Sequence, residues 1–545
     1  MRSVFMLCLV LISASGYCQK DKMSDRSLRN SVLGYVERFN AAYPEIDSTY
    51  IPNKDAASFI LSNVPLFNCP DSFINRTYYF RWWSYRKHIK KIPGGFVVTE
   101  FLPNVEWAGP YNSINCPVVH QMSEGRWIRD TSILIAYARF WFSHPGADPG
   151  GSKKLYSLPM ADAIDKLIQV NGSATLGSEL FPLLANNYRN WQSKDGGGNS
   201  QARKSENGLY WQIDSWDGME FSISGEGYRP TINSYMYGDA MALAALAIPL
   251  GRSGLEREFR NDALTLKENM TKFMWDSSDG FFKTVRGPQK PQYENRFAEK
   301  LEPYQRSTVK ELVGYLPWLY DMPDTTDKIN DAWKYLRDTA VFLGRNGLRT
   351  ADRHHPNFSV ADSGECNWNG ASWPFATTQT LTALGNHLNR TASSAVSAAD
   401  YFTLLRQYAL SHTIEAPDGS VKAWIDESYH PETGKWISFG SYPNIRGRFY
   451  NHSAFCDLVI TGLVGLRPSR TNELVVNPLV PNGVWDWFEC RNINYKGFKL
   501  DVVWDRDGKR FKEGKGLLLF IDGKLAAQRE SLGLIRLVLP GVKFQ

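Results

Sequence analysis

The chain has 545 residues, 43% of them hydrophobic and 22% charged, an ordinary globular composition that excludes a disordered chain. Its formal charge of +6 is small for its size, and Lys and Arg are interspersed with Asp and Glu, so no nucleic-acid partner is expected. The 18 Trp, 26 Tyr and 29 Phe are material for a large core and also flat faces on which sugar rings stack.

The N-terminus reads M-R-S-V-F-M-L-C-L-V-L-I-S-A-S-G-Y-C-Q-K: Arg2, then an apolar stretch from Val4 to Ile12, then small residues. This is the pattern of a signal peptide over 1–18, with periplasmic or secreted localisation expected. The bulky Tyr17 before Cys18 fits cleavage ahead of Gln19 better than lipidation of Cys18. No second apolar run of about 20 residues follows, so no stable membrane insertion is expected. Removal of Cys8 and Cys18 leaves Cys69, Cys116, Cys366, Cys456 and Cys490, an odd set without metal spacing, in which a bridge between Cys69 and Cys116 is one option.

Apolar positions then recur at three- and four-residue spacing, as helices require. Taken in chain order, these segments are 27–39, 130–141, 160–168, 235–248, 266–274, 329–343, 379–388 and 455–466. With weaker stretches they amount to about a dozen helices without a tandem repeat, which suits a closed double ring and disfavours a solenoid. The segment A-M-A-L-A-A-L-A-I is apolar nearly all round, as an inner helix covered on both sides must be. After residue 468 the period changes: 474–480, 498–504, 516–524 and 534–539 read as strands joined by turns such as D-R-D-G-K. The expected architecture is mainly α, a catalytic ring over 19–467 and a small antiparallel β domain over 468–545.

Three loop segments combine acids, aromatics, Gly and Asn, the mixture a sugar site needs: W-Q-I-D-S-W-D-G-M-E-F-S-I-S-G at 211–225, G-E-C-N-W-N-G-A-S-W-P-F at 364–375, and W-I-D-E-S-Y-H-P-E-T-G-K-W at 424–436. Hydrolysis of a glycosidic bond needs one protonated carboxyl and one ionised carboxylate. Asp217, between Trp216 and Gly218 and close to Met219 and Phe221, lies in an apolar setting that suits the acid. Glu427, among Asp426, Ser428 and His430, lies in a polar one that suits the base. Composition alone leaves Asp214 and Glu220 as alternatives to the first, and Asp426 and Glu432 as alternatives to the second.

The ordered set of a W-D loop, a helix opening P-x-x-N-S-Y-x-Y, the segment W-N-G-x-S-W and the loop E-x-Y-x-P-x-T-G resembles the mannosylglycerate hydrolase-like enzymes, which group with glycoside hydrolase family 63 and the trehalases. The resemblance spans about 75–465. It implies an (α/α)6 toroid and an inverting, exo-acting O-glycosidase for an α-linked sugar, with Asp217 as general acid and Glu427 as general base. The resemblance implies a substrate site with Trp127, Arg129 and Asp130 of an early W-x-x-D motif, Trp216, Asn233, Tyr235, the strip Trp368, Asn369, Gly370 and Trp373, and His452. Asn369 stands where many relatives have Arg, and E-F-S follows W-D-G-M where several carry S-P-R.

Other features have plainer readings. Trp82 and Trp83 in Y-Y-F-R-W-W-S-Y-R-K serve equally as a glycan platform or a packed helix face. His354 and His355 lack acidic partners at metal spacing, so no metal and no cofactor are expected. Two alternatives of other classes stand beside the glycosidase: a noncatalytic glycan-binding envelope protein, and a polysaccharide lyase on a similar toroid.

Overall fold

In a computed structural model the described residues are 17–45, 49–144, 147, 156–192, 203–288, 291–292, 294–325, 328–360, 366–437 and 446–540. The expected signal segment lies outside them except for Tyr17 and Cys18, which open the first helix.

The first three helices are α1 (Tyr17–Ala42), α2 (Ala56–Asn63) and α3 (Ser72–His88). A regular alternation follows: α4 (Val118–Gly125), α5 (Thr131–Ser143), α6 (Met160–Asn171), α7 (Ala174–Gln192), α8 (Pro230–Ala247) and α9 (Ser253–Phe273). The chain continues through α10 (Leu316–Leu319), a 3-10 helix (Lys328–Arg337), α11 (Pro374–Arg390), α12 (Ala398–Ser411) and α13 (Phe455–Leu458). Packing shows which layer each occupies. Helices α4, α6, α8, α10, α11 and α13 each contact the next, and α13 closes the circuit against α4. The intervening helices lie outside, with α3 between α12 and α1. This is an (α/α)6 toroid with a small antiparallel sheet domain at its C-terminal end.

The sequence explains the layering. Helix α8 buries nearly every side chain from Pro230 to Ala247, and its small Ala residues allow close approach of neighbours on both sides. By contrast α9 buries only Phe259, Ala263, Leu266 and Met270, a single stripe at helical spacing. Helix α3 is buried from Thr77 to its end, so Trp82 and Trp83 are core residues with no exposed face for a sugar. Its N-cap Asp71 accepts from the backbone N–H of Phe73 and Ile74 and also pairs with Arg406 of α12 at 2.6 Å.

Two expectations shift. The segment 329–343 forms a 3-10 helix only to Arg337, because the Asp338 carboxylate accepts the Ala340 N–H at 2.8 Å and turns the chain. Cys69 and Cys116 are not paired: Cys69 donates toward Asn75 Oδ1 at 3.3 Å, and Cys69, Cys116, Cys366, Cys456 and Cys490 are all free thiols.

The principal sheet runs Leu66–Asn68, Trp487–Tyr495, Phe498–Asp505, Gly516–Ile521 and Lys524–Arg529 in spatial order, all neighbours antiparallel. One edge strand thus comes from the start of the chain. A smaller sheet joins Leu466–Arg467, Glu473–Val476 and Ile535–Val538. Trp485 knits sheet to ring, lying against Phe67 on one side and Phe402 of α12 on the other.

Gly465 makes the turn from ring to sheet at φ +79°, and a Cβ there would fall 2.2 Å from the Asn477 carbonyl. Left-handed strain and the backbone clash together predict that Gly465→Ala lowers stability by at least about 2 kcal/mol, read as a fall in the urea midpoint relative to the parent.

Candidate active site

The 211–229 loop is pinned before it reaches the pocket. Arg229, fully buried just ahead of α8, donates Nε to Asp217 Oδ2 at 2.8 Å, Nη1 to the hydroxyls of Ser222 and Ser224 at 3.2 and 3.1 Å, and Nη1 to the Gly225 carbonyl. Against the cost of its burial, the charges of Asp217, Glu311 and Asp214 push Arg229 up, keeping it protonated. Glu311 accepts from the backbone N–H of Ile223 and Ser224, and Asp214 accepts from Asn295 at 2.7 Å and from Ser222. Asp214, and Asp217 through its Oδ2, therefore hold the loop; Asp217 Oδ1 has no hydrogen-bond partner among the described residues, and the side chain has no exposed surface.

Glu220 is free of such duty. It is the partly exposed acid of this loop, and its own carbonyl accepts the Trp368 N–H at 3.0 Å. The next residue, Phe221, has φ 56°, a left-handed conformation costly for a bulky residue and concentrated at functional sites. Burial, with the charges of Asp214, Glu427 and Glu100 adding to it, pushes Glu220 up to about 8. Its carboxyl therefore stays protonated at neutral pH.

Glu427 comes from the third loop and is 2% exposed. Arg446 Nη2 donates to Oε1 at 3.3 Å and the Cys366 thiol to Oε2 at 3.5 Å. Burial raises Glu427, and the Arg446 charge opposes that rise. Arg446 also lies 5.1 Å from the ring of Trp107, which is 51% exposed. A third carboxyl completes the cluster. Glu100 accepts the Tyr450 hydroxyl at 2.6 Å, lies 3.2 Å from His452 Nδ1, and is pushed up to about 8, chiefly by burial and further by Glu427. Electrostatics thus places Glu100, Glu220 and Glu427 around one desolvated space.

The remaining expected site residues divide. His452 is in the pocket wall, its ring 4.4 Å from that of Phe375, and the paired rings of Trp368 and Trp373 stack at 4.3 Å and 13° behind Glu220. Gly370 is required where it stands, since a Cβ would meet the Ser359 carbonyl at 2.7 Å. Asn369 is fully buried and donates to the Asn357 carbonyl at 3.2 Å. Trp216 is partly exposed at the loop and accepts the Ser157 N–H through its carbonyl. Asn233 clamps the loop by exchanging two 2.8 Å hydrogen bonds with the Tyr210 backbone, and the Tyr235 hydroxyl accepts from Gln379 at 2.5 Å.

The W-I-R-D motif is placed elsewhere than expected. Trp127 donates to Asp457 at 2.7 Å inside the ring, while Arg129 is exposed and reaches Asn492 of the β domain. Asp130 is exposed and caps α5 through the Ser132 N–H. A helix cap and a domain contact account for these two, and neither faces the carboxylates. Glu100, Arg446 and Trp107 carry no motif in the sequence and emerge only from the fold. Among the described residues no group of three or more His, Cys, Asp or Glu is arranged to hold a metal ion, and no helix is long and apolar enough to cross a membrane.

Removing the cation would leave Asp217 buried without its partner. Arg229→Met is expected to cost about 3–5 kcal/mol, and Asp217→Asn in the same chain to restore much of it, both read from urea denaturation.

The chain resembles several known structures in overall fold. A protein named as a sialidase matches at 36% identity with a TM-score of 0.85, over 94% of this chain and 45% of its own, so this chain spans less than half of that relative's length. The GH78 family rhamnosidase of Bacillus sp. GL1 matches at 13% identity and TM-score 0.54, over 84% of this chain and 41% of its own. The Streptomyces avermitilis α-L-rhamnosidase in complex with L-rhamnose matches at 11% and 0.53, over 85% and 38%; both share the fold. The C-terminal domain model of glycosyl hydrolase family 65 matches residues 466–527. The model of the mannosylglycerate hydrolase MGH1-like glycoside hydrolase domain matches residues 110–453, most of the chain including the Glu220 and Glu427 loops, and the protein belongs to that family.

Proposed function

We propose that the protein is an exported, inverting, exo-acting glycosidase for an α-linked sugar, with Glu220 as general acid in place of the expected Asp217 and Glu427 as general base. The observation that carries this reading is the contrast between the three acids. Asp217 is sealed against Arg229. Glu220 is partly exposed and held protonated to about 8, and Glu427 lies beside the cation Arg446 in the same pocket. An acid must enter the reaction with its proton and a base without one, and these surroundings set the two apart in that sense.

In the proposed step Glu220 passes its proton to the departing glycosidic oxygen. Glu427 takes a proton from water as that water attacks the anomeric carbon from the opposite face, giving a product of inverted configuration. Inverting enzymes keep the two carboxyl groups about 6.5–9.5 Å apart to admit that water. Exo-action is supported by the burial of Glu100 and Glu427, which describes a pocket in place of an open cleft. Trp107 at its mouth offers a face for the sugar or its leaving group. The α-linkage rests on the family resemblance, and export on the N-terminal sequence.

Two tests follow. With α-linked di- and oligosaccharides, proton NMR of the first-formed anomer should show inversion; retention overturns the mechanism. Glu220→Gln and Glu427→Gln should each lower kcat by about 10²–10⁴-fold, whereas Asp217→Asn should chiefly cost stability. In the parent, kcat/KM should fall at alkaline pH as Glu220 loses its proton near 8, and at acid pH as Glu427 gains one somewhat above the usual carboxylate range. Stability carries its own signature. Between the unfolded carboxyl value and about 8 the native state holds a proton that the unfolded chain has lost, so stability falls as pH rises. Glu220→Gln removes that slope and should raise Tm by about 2 °C at pH 8 while leaving Tm at pH 5 nearly unchanged.

A further inference from the structure

The toroid has a second chamber. Helices α8 and α11 begin at the carboxylate loops, and their later turns, with Tyr237 and Met241 on one and Asn386 and Arg390 on the other, line a cavity of about 770 Å³. The cavity and the catalytic pocket are divided by a septum of three rings. His120 lines the cavity and lies 4.0 Å from Phe375, which in turn lies 4.4 Å from His452 beside Glu100. None of the three pocket carboxyls lines the second chamber.

Its charge is unbalanced. The walls carry five cations, Arg126, Lys166, Arg390, Arg467 and Arg470, against Asp162, Asp321 and Asp457. Arg126 pairs with Asp457 at 2.7 Å, Lys166 with Asp162 at 2.7 Å and Arg390 with Asp321 at 3.4 Å. Arg470 pairs with Asp165, outside the wall, at 2.6 Å. Arg467 has no carboxylate at ion-pair distance among the described residues; it donates to the Thr461 carbonyl at 3.3 Å and to Asn386. Burial lowers its affinity for its proton and the charges of Asp321 and Asp457 oppose that; a guanidinium in such desolvated surroundings attracts an anion more strongly than one in water.

Among the described residues, three polar atoms of the same wall lack a hydrogen-bond partner: His120 Nδ1, the Tyr320 hydroxyl and Asp162 Oδ2, the last of which is ion-paired with Lys166. His120, 3% exposed, bonds the Phe375 carbonyl through Nε2, and its Nδ1 has no partner. The Tyr320 hydroxyl is likewise without one, and Lys166 Nζ lies 5.1 Å from that ring. Buried polar atoms are ordinarily satisfied; these lie just behind the cavity surface, without accessible area of their own. The wall also includes Thr461, on the π-helical turn Val459–Leu463, a local irregularity frequent at functional sites.

We propose that this second chamber binds a small molecule bearing an oxyanion, phosphate or carboxylate, with Arg467 as its charge partner and Lys166 at its rim. The volume suits a molecule of mono- or disaccharide size. A bidentate guanidinium contact serves either anion, and the polar wall serves hydroxyls.

Thermal unfolding of the full chain decides it, titrating inorganic phosphate and, separately, glucuronate, with sodium chloride holding ionic strength constant. Ligand that binds only the folded state raises Tm along a saturating curve. The expected result is such a curve with one or both anions, and not with chloride. Saturation with phosphate alone assigns a phosphate or phosphorylated sugar, and saturation with glucuronate alone assigns a sugar acid. Lys166→Gln should shift the midpoint upward about tenfold, Arg467→Gln should abolish the curve, and Glu220→Gln should leave it in place. Absence of a saturating rise with either anion in the parent overturns the proposal. So does an unchanged midpoint in Lys166→Gln, a variant at a partly exposed position that keeps the test open should Arg467→Gln fail to fold.

Discussion

A single guanidinium, that of Arg229, sets the geometry of the 217–225 loop. A cation with no exposed surface is tolerable only if its charge is neutralised and its N–H groups are satisfied. Asp217 supplies the charge, and two serine hydroxyls and a backbone carbonyl supply acceptors. Meeting those requirements leaves the 217–225 segment little freedom, and Glu220 is the carboxyl that emerges from it toward the pocket. The rigidity of the site is thus the other face of an electrostatic debt incurred one layer behind it.

The pocket itself gathers groups that repel one another. Glu100, Glu220 and Glu427 feel each other's charge in a desolvated space, which the cation Arg446, paired with Glu427 and also felt by Glu100, partly offsets. Glu100 and Glu220 hold protons, with Tyr450 donating to Glu100. Such an arrangement destabilises the fold at high pH, and it is what the proposed acid role of Glu220 would require, a carboxyl reluctant to ionise near neutrality. The large apolar ring supplies the stability against which that cost is set.

Much of this was legible in the sequence. The 3.6-residue period, the all-apolar α8 and the change to period two near residue 468 carried the architecture, because burial on both sides or on one side writes itself directly into residue choice. The three acidic, aromatic loops were visible in the sequence as mixtures of acids, aromatics, Gly and Asn, and the structure brings Glu220 and Glu427 from two of them within range of each other's charge. The choice among Asp214, Asp217 and Glu220 was not legible, since it depends on which carboxyl meets Arg229, a residue outside the motif as read. Asp130 misled because an N-cap and a ligand-binding aspartate look alike in one dimension. Glu100 and Trp107 were hidden altogether, being brought to the pocket by a hairpin, Ile89–Ile92 with Gly95–Val98, and the loop after it. The long strand Trp487–Tyr495 escaped because a register shift between Cys490 and Ile493 breaks its alternation.

The pairing of Leu66–Asn68 with Glu489–Arg491 ties a segment that precedes the inner ring to a strand that follows it. On the ribosome, the short early strand waits unzipped until more than four hundred further residues have been synthesised, with its backbone N–H and C=O groups open to other partners meanwhile. The clasp then fastens in one late, long-range event of high contact order. Toroid and sheet therefore behave as one buckled belt, and a break in the late strands would loosen the ring from its beginning.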